Sequence, residues 1–127
     1  MGYLSHITGG CTIEPPLDAG ELRLLPGLDF GLVLVETVEP YRDTDEGTLI
    51  VRTGTRLGLI TDDGVKAYEF EQDVARAVAA VADAGDGHAV NGTFRVEGED
   101  QGDVWRLVVT GGRIARFGGR RHSAQGV

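Results

Sequence analysis

Hydrophobic and polar residues alternate along much of this chain with the period of two that is typical of β-strands. Runs of this kind, together with runs rich in β-branched and apolar residues, predict strands over residues 3–14, 30–39, 48–53, 90–97, 104–109 and 113–117. A bulge at Gly54 would let the strand at 48–53 continue through Leu59 and Ile60. Glycine, proline and acidic residues bound these runs and favour turns between them. The short polar gaps between the last three runs indicate an antiparallel meander.

Turn-forming residues set the expected ends of these strands. Pro15 and Pro16 have no amide hydrogen to donate to a sheet, so we expect them to end the first strand. Residues 40–47 are predicted to form an acidic turn between the two strands of a hairpin. Residues 98–103 are predicted to form a second polar turn, between the strands at 90–97 and 104–109.

A longer period predicts helices in two segments. Over residues 68–84 apolar side chains recur every three or four positions, as on one face of an α-helix. The members of this stripe are Phe70, Val74, Ala77, Val78 and Val81. Residues 19–25 predict a short helix, because Asp18 suits its N-cap and Glu21 follows three residues later, as in a capping box.

These elements predict an α+β fold of two layers. A mostly antiparallel sheet of five to six strands would be covered on one face by the main helix, leaving the other face as a natural binding surface. The length of 127 residues fits one domain, expected over residues 1–117. Residues 118–127 show no core-forming pattern and are expected to be a disordered basic tail.

Charge is unevenly distributed along the chain, whose formal net charge is −8. Residues 104–127 hold five arginines and no acid, a net +5, so the preceding 103 residues carry −13. An acidic body argues against nonspecific binding to nucleic acid or to anionic membrane. Weak nucleic-acid binding through the arginine-rich tail stays open, although such surfaces usually hold more clustered basic residues.

The remaining composition points to a cytoplasmic protein. No apolar run is long enough to span a membrane. The N-terminal residues contain no cationic stretch followed by an apolar one, so we expect no signal peptide. The single cysteine, Cys11, cannot form an internal disulfide and favours a reducing compartment.

Four carboxylates stand within seven residues at and just before the polar turn at 98–103. Glu99, Asp100 and Asp103 follow Glu97, which stands at a strand end. Clustered oxygens suit Ca²⁺ or Mg²⁺, but a solvated acidic turn has the same composition. We therefore keep these three residues as candidate binding residues and predict no metal site.

His88, Asn91, Trp105 and Arg106 are the other candidate binding residues. His88 stands between the main helix and a strand, where it is either a turn imidazole bonded to the backbone or a general base. Trp105 and Arg106 are strand neighbours and point to opposite faces. We expect Trp105 in the core and Arg106 in solvent, with the reverse as the alternative.

The two ends of the sequence resemble a family of small uncharacterised actinobacterial proteins. The matching segments are MGYLSHITGGCTIEPPL at the start and GHAVNGTFRVEGEDQGDVWRLVVTGGRI near the end. The resemblance implies a domain of unknown function, so it carries over no activity and no catalytic residue. It implies that Gly87-His88, the turn from Gly98 to Asp103, and Trp105-Arg106 define either the fold or a site.

These observations favour a non-enzymatic protein-binding or regulatory module, with no cofactor and no catalytic residue assigned. Its partner would be another protein or a second copy of the chain. The alternative is a small-molecule or nucleotide-binding protein, or an enzyme, with a pocket between helix and sheet. That alternative predicts that His88, Asn91, Glu99 and Arg106 converge in the folded chain.

Overall fold

The structure is a computed structural model that describes residues 5–38, 41–44, 47–50, 53–60, 69–98 and 104–118. The helices are α1 Ala19–Leu22 and α2 Phe70–Ala84. The strands are β1 Ser5–Leu17, β2 Asp29–Phe30, β3 Val33–Val38, β4 Tyr41–Thr44, β5 Gly47–Ile50, β6 Thr53–Leu59, β7 Ala89–Gly98, β8 Val104–Thr110 and β9 Arg113–Gly118. No helix of this described part is long and apolar enough to cross a membrane.

Seven of these strands form one antiparallel sheet in the order β2-β3-β6-β1-β7-β8-β9. The prediction of five to six strands was therefore too low. The run at 48–53 does not act as one strand, because Gly47–Ile50 and Thr53–Leu59 are separate strands with different partners. Asp29–Phe30 adds a two-residue strand beside β3.

The acidic turn predicted at 40–47 is wrong in part. Tyr41–Thr44 and Gly47–Ile50 pair as a separate two-stranded sheet. The chain between β3 and β6 thus holds a second hairpin, built partly from tyrosine, threonine, leucine and isoleucine, which favour strands. Residues 45–46 lie outside the described residues.

The expected end of the first strand at Pro15 is also wrong, since β1 continues to Leu17. Its pairing with β6 shifts register between Thr12 and Leu17, and its pairing with β7 reaches Glu14. Prolines are tolerated at such irregular places because no ladder hydrogen bond is required from their nitrogen.

Helix α2 confirms the predicted apolar stripe, whose five residues are all buried against the sheet. The helix begins at Phe70, and its ring meets Phe94 of β7 edge to face, with 5.0 Å between centroids. The predicted short helix is also found, over Ala19–Leu22 rather than to residue 25, and Asp18 and Glu21 form the predicted capping box.

Asp73 anchors the first turn of α2 to the turn between β2 and β3. Its side chain is buried, it accepts a hydrogen bond from the Leu32 amide at 3.0 Å, and it pairs with Arg76. Gly31 precedes this contact with φ +74°, and a Cβ atom there would lie 2.3 Å from a carboxylate oxygen of Asp73. The turn therefore requires glycine for both its conformation and its space.

We predict that Gly31→Ala lowers the free energy of unfolding by about 1–3 kcal/mol, because the substitution strains the backbone and displaces Asp73. Gly27→Ala is the matched control, since a Cβ atom at Gly27 meets nothing within 4 Å. Urea unfolding followed by circular dichroism measures both variants. Equal stabilities would contradict this role for the Gly31 turn.

Candidate functional site

His88 lies where β7 begins, and both of its ring nitrogens are engaged. Nδ1 lies 2.6 Å from the carbonyl oxygen of Pro15, and Nε2 lies 2.8 Å from Oε2 of Glu21. The His88 side chain is only 5% exposed and that of Glu21 22%. The contact joins the start of β7 to β1 and α1, which lie 73 and 67 residues earlier at Pro15 and Glu21.

The two partners determine the protonation of His88. A carbonyl oxygen and a carboxylate both accept hydrogen bonds, so the ring satisfies both contacts only as an imidazolium, with a proton on each nitrogen. The hydrogen bond to Glu21 is the main cause that raises the pKa of His88, and the bond to Pro15 adds to it. The same contact with His88, helped by the Asp18 backbone, lowers the pKa of Glu21.

This arrangement makes His88 a structural cation. A general base needs a free lone pair on one ring nitrogen, and both nitrogens of His88 carry protons that are committed to acceptors. The sequence indicated a backbone-bonded turn imidazole, which agrees with the Pro15 contact. It missed Glu21, because the capping-box pattern gives no sign that the same carboxylate reaches a histidine 67 residues away.

An open groove of about 440 Å³ lies beside His88, between α2 and the turn that joins β8 to β9. Its walls are mainly small or apolar, and they include Ala75, Ala79, Val90 and Ile114. The nearby amides of Gly111 and Gly112 already donate to Asn91 Oδ1 and to the Val90 carbonyl oxygen. The groove therefore offers volume, but the Gly111 and Gly112 amides beside it are already used within the fold and are not free to orient a ligand.

The candidate residues from the sequence lie in different places. Asn91 supports the β8–β9 turn from the exposed face of the sheet, which also carries Arg106. Trp105 is 9% exposed and faces the helix side, which confirms the expected opposite orientations of Trp105 and Arg106. His88 is thus not brought together with Arg106.

Three further candidates, Glu99, Asp100 and Asp103, lie outside the described residues.

A row of two arginines and one phenylalanine crosses the exposed face of β7, β8 and β9. Arg95 stands directly opposite Arg106, and Arg106 stands opposite Phe117. Arg95 pairs with Glu97 at 3.2 Å, whereas no carboxylate of the described residues lies within ion-pair distance of Arg106. Two like charges that face each other on neighbouring strands are unfavourable, and within the described residues the Glu97 carboxylate pairs with Arg95 but not with Arg106.

On the helix side of the hairpin formed by β8 and β9, an arginine covers the ring of Trp105. The guanidinium carbon of Arg116 lies 4.0 Å from the ring centroid of Trp105, in a cation–π contact. Residues 104–118 thus present Arg106 and Arg113 on one face and Arg116 on the other, with Phe117 48% exposed. We call residues 104–118 the basic hairpin.

Among the described residues, no three histidine, cysteine, aspartate or glutamate side chains lie together so that they could hold a metal ion.

Cys11 is buried in the core, and burial raises the pKa of its thiol to about 11, so it is a poor nucleophile at neutral pH.

Residues 1–120 match a family of unknown function, DUF6205. The chain belongs to the DUF6205 family. This agrees with the resemblance to an uncharacterised family and assigns no activity to any residue. No curated protein and no solved structure matches the chain. For this DUF6205 protein, the geometry of the site is therefore the basis for a functional proposal.

We predict that the stabilising effect of His88 depends on pH on both sides of neutrality. Since the fold raises its pKa from 6.5, the contribution is complete below about pH 6.5 and is lost as pH rises through the raised value. Since the fold lowers the pKa of Glu21 from 4.5, the contribution of the carboxylate is present above about pH 4.5 and is lost on acidification through the lowered value.

Urea unfolding between pH 4 and pH 9 tests this window. The difference in unfolding free energy between the wild type and His88→Gln should be largest between about pH 4.5 and 6.5. It should decrease toward pH 9. The exposed His6, substituted as His6→Gln, is the control. A difference for His88→Gln that does not vary with pH would show that the imidazolium pair contributes nothing.

We predict that Arg116→Ala moves the fluorescence emission of Trp105 to longer wavelength, because the substitution admits water to the indole. Trp105 is the only tryptophan, so emission reports this contact alone. The loss of the cation–π contact should also cost about 0.5–1 kcal/mol of stability. Arg113→Ala on the same strand is the control, and an identical emission maximum in both variants would contradict the contact.

Proposed function

We propose that this protein is a non-enzymatic binding module that recognises an acidic segment of a partner protein through the basic hairpin. The observation that carries the proposal is the exposed row in which Arg95 faces Arg106 and Arg106 faces Phe117. The hairpin holds three arginines and no acidic residue, in a chain whose net charge is −8.

The electrostatics of this row favour an anionic partner. A carboxylate placed near Arg106 would reduce its repulsion with Arg95 and gain a charge-assisted hydrogen bond. The exposed ring of Phe117 adds apolar area beside the charge. Arginine and aromatic side chains together are enriched at protein interfaces, where they contribute much of the binding energy.

An acidic protein segment suits this surface better than a nucleic acid does. Sequence-tolerant binding of single strands uses several aromatic rings, on which successive bases stack, within a strongly basic groove. In the basic hairpin, Phe117 is the one exposed ring, because Trp105 faces the other side under Arg116. The acidic body of the chain would also repel a long polyanion, but it would repel a short acidic peptide less.

The alternative of a small-molecule site near His88 has weaker support. The groove beside α2 has the volume of a ligand site, but its walls are mainly apolar. The imidazolium of His88 is already committed to Pro15 and Glu21.

Fluorescence anisotropy with a labelled ten-residue peptide of alternating glutamate and threonine tests the proposal. We expect saturable binding at low salt that weakens as salt is added, because the attraction is largely electrostatic. Arg106→Gln should weaken binding about two- to fivefold, the effect of losing one exposed ion pair. Arg23→Gln, which removes an exposed arginine near α1, should leave binding unchanged.

Two results would overturn the proposal. One is the absence of binding to this peptide at low salt. The other is an equal loss in Arg106→Gln and Arg23→Gln, which would show that only net charge matters. The matching peptide of lysine and threonine should not bind.

A further inference from the structure

Strand β9 forms one edge of the seven-stranded sheet. In the part of the chain that the structure describes, it pairs with β8 on one side and with no strand on the other. It is six residues long, and all of these except Ile114 are exposed. The opposite edge, β2, has only two residues. Of the two edges, β9 is therefore the one long enough to receive a further strand.

The turn before β9 determines which of its amides are free. Gly111 and Gly112 both have positive φ, which is typical of a two-residue type I′ turn, so Thr110 and Arg113 form the hydrogen-bonded pair that closes the hairpin. Hydrogen-bonding direction alternates along an antiparallel strand. The amides of Arg113, Ala115 and Phe117 therefore face β8, and those of Ile114 and Arg116 face away from the sheet.

The charges on β9 limit what can pair with that edge. Charged side chains on an edge strand discourage the addition of neutral or like-charged strands. Arg113 and Arg116 give this edge a positive charge on both of its faces, because they occupy positions of opposite orientation. An extended segment with acidic residues would match both arginines, one on each face.

We infer that the acidic partner binds as an added strand along β9, with its main chain hydrogen-bonded to the outward amides and carbonyls of Ile114 and Arg116. This inference rests on the proposed function and specifies its mode. The added strand would lie about 4.8 Å from β9. Successive side chains of the added strand would point to opposite faces, so its acidic residues would stand beside Arg113 on one face or Arg116 on the other, and those of an alternating peptide would all lie on the same face. The main chain of the added strand supplies affinity independent of sequence.

Amide hydrogen exchange, measured by NMR on the wild type, tests this mode directly. On addition of the peptide of alternating glutamate and threonine, the amides of Ile114 and Arg116 should become protected. Those of Arg113, Ala115 and Phe117, already bonded to β8, should change little. Peptide binding without this alternating protection of the β9 amides would overturn the inference of an added strand and leave the proposed function intact. Absence of peptide binding would overturn both.

A pair of variants at one position separates the main chain from the side chain. Arg116→Ala and Arg116→Pro both remove the guanidinium, but only proline also removes the outward amide. Proline is tolerated on an edge strand where its nitrogen faces solvent. We expect Arg116→Pro to bind the peptide about fivefold more weakly than Arg116→Ala, the effect of one hydrogen bond. Equal binding by two folded variants would contradict strand addition.

A second copy of the chain is the competing occupant of this edge. Sedimentation of the free protein should show a monomer, with the amides of Ile114 and Arg116 exchanging rapidly. A dimer in which these two amides are protected before any peptide is added would overturn the inference.

Discussion

In the described part of the chain, one long helix covers the apolar face of a seven-stranded sheet. Helix α2 has 15 residues and is therefore about 22 Å long, whereas seven strands span about 29 Å across the sheet. The helix runs from the β2–β3 turn, held by Asp73, toward the β8–β9 turn, where Val78 approaches Gly112. At the β9 edge, an arginine side chain from β9 itself closes over Trp105.

This arrangement explains why charge is placed as it is. The helix-covered face takes the apolar half of every strand, so the arginines of the basic hairpin are placed on the exposed face or at the edge. At the C-terminal end of α2, the imidazolium of His88 and the carboxylate of Glu21 join α1 to the sheet without leaving a buried charge unpaired. The positive charges thus have two different roles. The charge of His88 is paired with Glu21 inside the fold, whereas the arginines of the basic hairpin are exposed to solvent.

The sequence predicted the features that depend on local patterns. The stripe from Phe70 to Val81 has the helical period, and the capping box of Asp18 and Glu21 is a four-residue pattern, so both were found. The placement of Trp105 and Arg106 followed from strand alternation. The division of the run at 48–53 between two strands was not predictable, because it depends on pairing: Gly47–Ile50 pairs with the adjacent Tyr41–Thr44, whereas Thr53–Leu59 pairs with β1 and β3.

The contacts of the candidate site depend on register and on the close approach of distant segments. Arg95 and Arg106 face each other only because β7 and β8 pair in one register, and a shift of one residue would place them on different faces. The contact between Glu21 and His88 needs β1, α1 and β7 to be in place first. Such juxtapositions leave no periodic signal in a single sequence.

Among the described residues β9 pairs only with β8, and hydrogen exchange of the free protein shows whether its other edge is open in solution. With an open edge, exchange along β9 alternates: the amides of Arg113, Ala115 and Phe117 exchange slowly, and those of Ile114 and Arg116 exchange at rates near those of exposed amides. Uniformly slow exchange along β9 would show that another strand already occupies this edge, and would contradict the account.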